Sequence, residues 1–106
     1  MRLAISRSKE AERDLEEQAV YIAGDRPSAA AAFLHAANRA FELLAELPQA
    51  GSPRRFRNTS LDGMRTWSIR GFEKHTIFYR TTPGQIEVVR VLHGARDAER
   101  IFGVKS

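Results

Sequence analysis

The 106-residue sequence has no cysteine, one tryptophan, two methionines and four prolines. Without cysteine it can form neither a disulfide framework nor a thiolate metal site. That suits a reducing compartment, and a cytoplasmic location is expected. No stretch approaches the roughly 20 apolar residues that span a bilayer. The opening MRLAISRSKE is charged and has no apolar run, so it does not read as a secretory signal. Three scattered histidines, His35, His75 and His93, make no metal constellation, and no cofactor is expected. The length fits one domain, residues 1–106, with little room for a second.

Acidic residues are the minority. Lys+Arg number 17 against 13 Asp+Glu, a formal net charge of +4. Only Lys9, Lys74 and Lys105 are lysine; the other cations are arginine, the side chain that grips carboxylate and phosphate with two parallel N–H donors. Such a balance has two readings: a solvated surface set by coding bias, or a face that meets an acidic partner or nucleic acid. The charge is segregated. Arg54, Arg55, Arg57, Arg65, Arg70, Lys74 and Arg80 occupy the middle, while Glu10, Glu12, Asp14, Glu16 and Glu17 lie near the start.

Periodicity orders the chain. Arg2 to Ile5 reads as a short strand with Leu3 and Ile5 on one face. Ser6 or Ser8 offers an N-cap, and Glu10, Glu12 and Asp14 suit the positive end of a helix dipole. Ala11, Leu15, Ala19 and Ile22 form the apolar stripe of that helix, which Gly24 ends. Pro27 opens a second helix with the stripe Phe33, Ala37, Ala40, Leu44 and Leu47, widened by Phe41 and Leu43, and ended by Pro48 and Gly51. The short connection predicts an antiparallel helix hairpin. Gly51 to Asn58 is a basic, turn-rich loop. Strands follow: Arg65 to Arg70, a turn at Gly71-Phe72-Glu73, Thr76 to Arg80, a turn at Thr82-Pro83-Gly84, then about Ile86 to Leu92. Within them, Ile77 and Tyr79 face one way and Phe78 the other. Ala95 to Phe102 reads as a short amphipathic segment after the His93-Gly94 turn. The fold class is therefore α+β: an N-terminal strand, an antiparallel helix hairpin packed on a three- to four-stranded antiparallel sheet, and a short C-terminal helix.

Four strings occur in this order: SKEAERDLEEQAVYI, LLAELPQAGSPRR, LDGMRTWSIRGFEKHTIFYR and VVRVLHGARD. Together they resemble the RelE/ParE toxin–antitoxin superfamily, and the ParE-type toxins within it, over nearly the whole chain. The resemblance implies a toxin that binds DNA gyrase and traps its cleaved complex. It also implies a cognate antitoxin, ParD-like or similar, with a DNA-binding half and an acidic tail, so that operator DNA is met only through the antitoxin in a hetero-oligomer. The other activity implied by the superfamily is RelE-like, ribosome-dependent cleavage of mRNA. That chemistry needs a base, an acid and cations around the scissile phosphate. By resemblance Arg65 and Arg96 occupy two cationic positions, Thr76 stands where many nucleases place an Arg, and Phe102 stands where a C-terminal Tyr or His would transfer a proton. Phe cannot transfer a proton, so gyrase inhibition without catalytic residues is the expected activity.

The target- or antitoxin-binding candidates are Arg54, Arg55, Arg57, Arg65, Arg80, Arg90, His93, Arg96 and Phe102. Each also has a structural reading. His93 is read first as fixing its turn through a bond to a backbone carbonyl, and second as an acid/base or target contact. Arg65 grips a phosphate or a target carboxylate, or pairs with an acid such as Asp62. Arg90 faces solvent on the open sheet face, or pairs with a neighbouring element. Arg96-Asp97 forms a turn-stabilising pair, with Asp97 capping the last helix, or Arg96 meets the target. Trp67 and Tyr79 are read as core residues rather than base-stacking platforms. Phe102 packs the last helix onto the domain, or fills a groove that the antitoxin would use.

Overall fold

A computed structural model describes residues 2–56 and 58–102, with the backbone only at residues 95, 96 and 99. The element order is β1 (Ala4–Arg7), α1 (Lys9–Asp25), α2 (Pro27–Glu46), β2 (Ser52–Pro53), a single 3-10 turn (Thr59–Leu61), β3 (Arg65–Ile69), β4 (Phe72–Thr82), β5 (Gln85–His93) and α3 (Gly94–Phe102). Ser8 is the N-cap of α1, its side chain accepting from Ala11 N–H, and Pro27 begins α2. The α1–α2 hairpin lies on one face of the sheet, as its two stripes require. Ala11, Leu15, Ala19, Phe33, Ala37, Phe41 and Leu44 are buried against Ile69, Ile77, Tyr79, Ile86, Val88 and Val91. Leu47 is the exception in its stripe: it lies just past the end of α2 and is 59% exposed.

The sheet is five-stranded and mixed, ordered β1-β5-β4-β3-β2. It extends the antiparallel meander β3-β4-β5 at both ends. β1 pairs parallel with β5, Ile5 opposite Ile86, because the whole helix hairpin serves as the crossover between them. β2 adds two residues to the outer edge of β3. β4 runs from Phe72, so the turn expected at Gly71-Phe72-Glu73 is confined to Arg70-Gly71, where Gly71 takes the positive φ of 86° that the tight reversal requires. A register shift at Ser68/Ile69 leaves Glu73, Lys74 and His75 without partners on β3.

The second sheet face carries its own smaller core. Phe56, Met64, Phe78, Leu92 and Ala98 are buried there, with Ile101 and Phe102 packed against them. Phe78 turning opposite to Ile77 and Tyr79 is the alternation read from the sequence. The amphipathic α3 covers part of this face, where it meets β5 and β4.

Candidate functional site

The cations of the middle strands do not converge on one site, and most are bonded within the chain at separate places. Arg65 Nη1 donates to Gln49 O (3.2 Å) and Gly51 O (2.6 Å), not to Asp62 or to an open surface. It thereby holds the loop after α2 onto β3. Tyr79 stands behind it as a post, its hydroxyl donating to Pro48 O (2.8 Å) and accepting from Gly51 N–H (2.9 Å). Burial pushes the Tyr79 phenol above its ordinary pKa, while the Gly51 bond and the Arg65 charge pull it the other way. The loop approaches so closely that a Cβ on Gly51 would lie 2.5 Å from the Tyr79 hydroxyl.

Arg80 Nε meets Glu87 across the β4–β5 pair (3.0 Å), and Arg80 Nη1 donates to Ser60 O (2.8 Å). Arg90 takes the second of its two readings. Its Nε and Nη2 donate to both carboxylate oxygens of Asp14 on α1, at 2.7 and 2.8 Å. The Asp14 hydrogen bond raises the Arg90 pKa against the opposing effect of burial. Asp14 has a further role. β1 ends at Arg7, so β5 beyond Val88 would be a bare sheet edge. The N-cap side chain of α1 and two side chains within the helix take over its backbone groups. Ser8 Oγ donates to Val89 O (2.7 Å), Asp14 Oδ2 accepts from Val91 N–H (3.0 Å) and Gln18 Nε2 donates to Val91 O (2.7 Å).

Gln18 also carries the chain of contacts to the histidines. His75 Nδ1 lies 2.6 Å from Gln18 Oε1, and because the Gln18 amide nitrogen is occupied by Val91 O, the His75 ring is the donor. His75, which reads as isolated in sequence, is buried between the rings of Phe33 and His93, each with its centroid at 4.7 Å. Burial, and then the nearby His93, lower its pKa to about 4, so it is neutral at physiological pH. His93 is the exposed member of the pair.

The remaining candidates divide. Phe102 packs on Phe56 (5.2 Å) and Phe78 (4.9 Å), which is the first of its two readings. Arg54 lies half-buried over the same aromatic rings, 5.8 Å from Phe56 and 5.7 Å from Phe78, while Arg55 is exposed beside it. Asp97 pairs with Arg100 one turn later (3.2 Å). Arg57 and the side chain of Arg96 lie outside the described residues. Thr76 pairs with Ser68 and Leu92 on the second sheet face. Among the described residues no group of three His, Cys, Asp or Glu could hold a metal ion, and no helix is long and apolar enough to cross a membrane. Asp14, Gln18, Gly51 and His75 were not candidates in the sequence. Their roles depend on which strand ends where, and no local string encodes that.

Solved structures share this fold. The chromosomal ParDE TA system from P. aeruginosa superposes with a TM-score of 0.72 at 15% identity, over 87% of this chain and 96% of that one. The RelBE2 toxin–antitoxin complex from Mycobacterium tuberculosis superposes with a TM-score of 0.60 at 23% identity, over 90% of this chain and 94% of that one. None of the curated proteins matches the sequence. Residues 5–98 match the ParE toxin of type II toxin–antitoxin systems, parDE. That span takes in every element described above except the first residue of β1 and the end of α3, and the chain accordingly belongs to the ParE toxin family of type II toxin–antitoxin systems.

Proposed function

We propose that this toxin acts by binding DNA gyrase, without breaking a bond itself, and that a cognate antitoxin with a DNA-binding half and an acidic tail neutralises it. The observation that carries the reading is where the superfamily's nuclease positions have gone. Arg65 is bonded to two loop carbonyls, and Phe102, at the position for a proton-transferring side chain, is part of an aromatic cluster. Arg80 and Arg90 are likewise bonded to Glu87 and Asp14. RNA cleavage needs free cations and a base and acid aimed at one phosphate. A binding poison needs only a complementary surface, and the exposed Arg55, Arg70 and Lys74 fit an acidic partner. As a single domain of 106 residues the chain would present that surface on one rigid body.

The second reading, ribosome-dependent mRNA cleavage, would draw on His93, an exposed imidazole at the end of β5. Two assays on the purified chain separate the readings. Supercoiling by gyrase is measured with and without the toxin, and mRNA undergoing translation is mapped for cleavage. The proposal expects loss of supercoiling with accumulation of cleaved DNA, and intact mRNA. Translation arrest with mapped mRNA cuts and undiminished gyrase would overturn it. The antitoxin half of the proposal is tested separately, by restoring gyrase activity with the product of the adjacent gene.

A further inference from the structure

The chain has three histidines, far apart in sequence, and the fold brings two of them together. His75 on β4 and His93 on β5 stand directly opposite across the antiparallel pair. Side chains so placed leave the same sheet face about 4.5–5.5 Å apart at Cβ. The two rings lie 4.7 Å apart between centroids and are inclined by 57°. The register shift at Ser68/Ile69 leaves His75 without a partner on β3, so at this point only β5 pairs with β4.

The two rings are held differently. His75 is 8% exposed, with Phe33 against it from α2 and Phe72 at its edge (6.4 Å, 71°). Its Nδ1 donates to Gln18 Oε1, and the Gln18 amide is fixed in turn by Val91 O. The lone pair of the neutral ring is therefore on Nε2. That atom is not sealed in, because Thr82 Oγ1 is the one enclosed side-chain N or O without a partner among the described residues. His75 lines a cavity between the end of α1, the start of α2 and the start of β4. His93 is exposed, so its ring is free to turn toward Nε2. An imidazole that donates one N–H to a fixed oxygen and presents its other nitrogen bare is arranged as a metal ligand is. The outer partner sets the tautomer and the direction, and makes the free nitrogen a better donor.

We propose that His75 Nε2 and a ring nitrogen of His93 together bind one divalent late transition metal, zinc being the reference ion, with water in its remaining positions. Two imidazole nitrogens on a tetrahedral zinc, each at about 2.0–2.1 Å, lie roughly 3.3 Å apart, a span that opposite residues of two strands can close. Imidazole suits zinc, copper and nickel. Among the charged groups lining the cavity, Asp25 is outnumbered by Arg26 and Lys74, so no cage of carboxylates invites magnesium or calcium. Both ligands bind as neutral rings, so the metal keeps its full charge and no proton need leave. His93 is followed directly by Gly94, the first residue of α3. A bound metal would thus tie the root of α3 to β4, at the point where β4 has lost β3. The site is independent of what the toxin binds.

The test uses the untagged full chain at neutral pH. Calorimetric titration with zinc chloride is expected to show one zinc per chain, and magnesium chloride no binding. His93→Ala should lower zinc affinity by at least about tenfold, as should His93→Gln, which keeps a polar side chain of similar reach; His35→Ala, at an exposed histidine elsewhere, should not change it. Zinc should raise the melting temperature of wild type and His35→Ala but not of the His93 variants. In long-range nitrogen–proton spectra zinc should shift the ring signals of His75 and His93 together and leave those of His35 in place. Equal zinc affinity in wild type and both His93 variants overturns the proposal. A spectrum in which zinc moves His93 and leaves His75 unchanged reveals a lone surface histidine and overturns the shared site. Failure of the wild-type chain to bind zinc shows that the pair is only an aromatic stack.

Discussion

Removing the carboxylate of Asp14 should destabilise the toxin more than any other single charge change on the hairpin. Asp14 accepts three hydrogen bonds: two from Arg90, at 2.7 and 2.8 Å, and one from Val91 N–H at 3.0 Å. In Asp14→Ala the Val91 N–H loses its only acceptor at the edge of β5, which costs about 1–3 kcal/mol. The Arg90 guanidinium also loses its partner. A fully buried cation stranded in this way would cost about 3–5 kcal/mol, but the Arg90 side chain is 22% exposed and can turn partly to water. Ala is also the better helix former by up to about 0.7 kcal/mol, which offsets a part. The net expectation is a loss of about 2–4 kcal/mol, against a total stability on the order of 5–15 kcal/mol. Asp14→Asn keeps an oxygen for Val91 N–H and should lose about half as much. Arg90→Met removes the cation and its desolvation together, so the double variant should recover part of the loss, with a coupling energy of about 1–2 kcal/mol. Urea unfolding followed by circular dichroism on the four-member cycle measures all of these terms. A loss under about 1 kcal/mol in Asp14→Ala, with coupling indistinguishable from zero, would refute the view that α1 completes the edge of β5.

Stability should also fall with acid through His75. Its pKa is about 4 in the folded chain against an ordinary 6.5, so this contribution is fully present above pH 6.5 and is lost as the pH falls toward 4. It amounts to at most about 3 kcal/mol; His75→Phe keeps a ring against Phe33 and should remove this slope, so that the wild-type minus variant difference falls as the pH drops through that window, and a variant with an unchanged pH slope would disprove the assignment. Gly51→Ala drives a methyl to within 2.8 Å of Thr66 O and 2.5 Å of the Tyr79 hydroxyl, so it should cost about 2–4 kcal/mol in thermal unfolding, and a melting temperature equal to wild type would contradict the close approach. Phe102→Ala removes the ring that packs on Phe56 and Phe78 and should lower stability by about 1–3 kcal/mol without changing the secondary structure seen by circular dichroism. The same contacts mean that truncation after Gly94 uncovers Phe78 and Leu92, so loss of toxicity in such a chain must be read beside its stability.

Local periodicity determined much of this protein. The stripes Ala11-Leu15-Ala19 and Phe33-Ala37-Ala40-Leu44 are buried as their helical spacing demands. The alternation of Ile77, Phe78 and Tyr79 divides two cores across one sheet, because successive side chains of a strand must point to opposite faces. Ser8, Pro27 and Gly84 mark their boundaries by capping and turn chemistry that acts within a few residues. Candidate site residues were a different matter. Fourteen residues separate Arg65 from Gly51, and 76 separate Arg90 from Asp14, so whether a guanidinium is free or committed depends on which distant oxygen the fold brings to it. The parallel pairing of β1 with β5 and the stack of His75 on His93 have the same origin. Each arises from strand order, register or a strand's end point, and these are decided by the packing of the whole sheet against the helix hairpin, where the burial of many side chains outweighs any local preference.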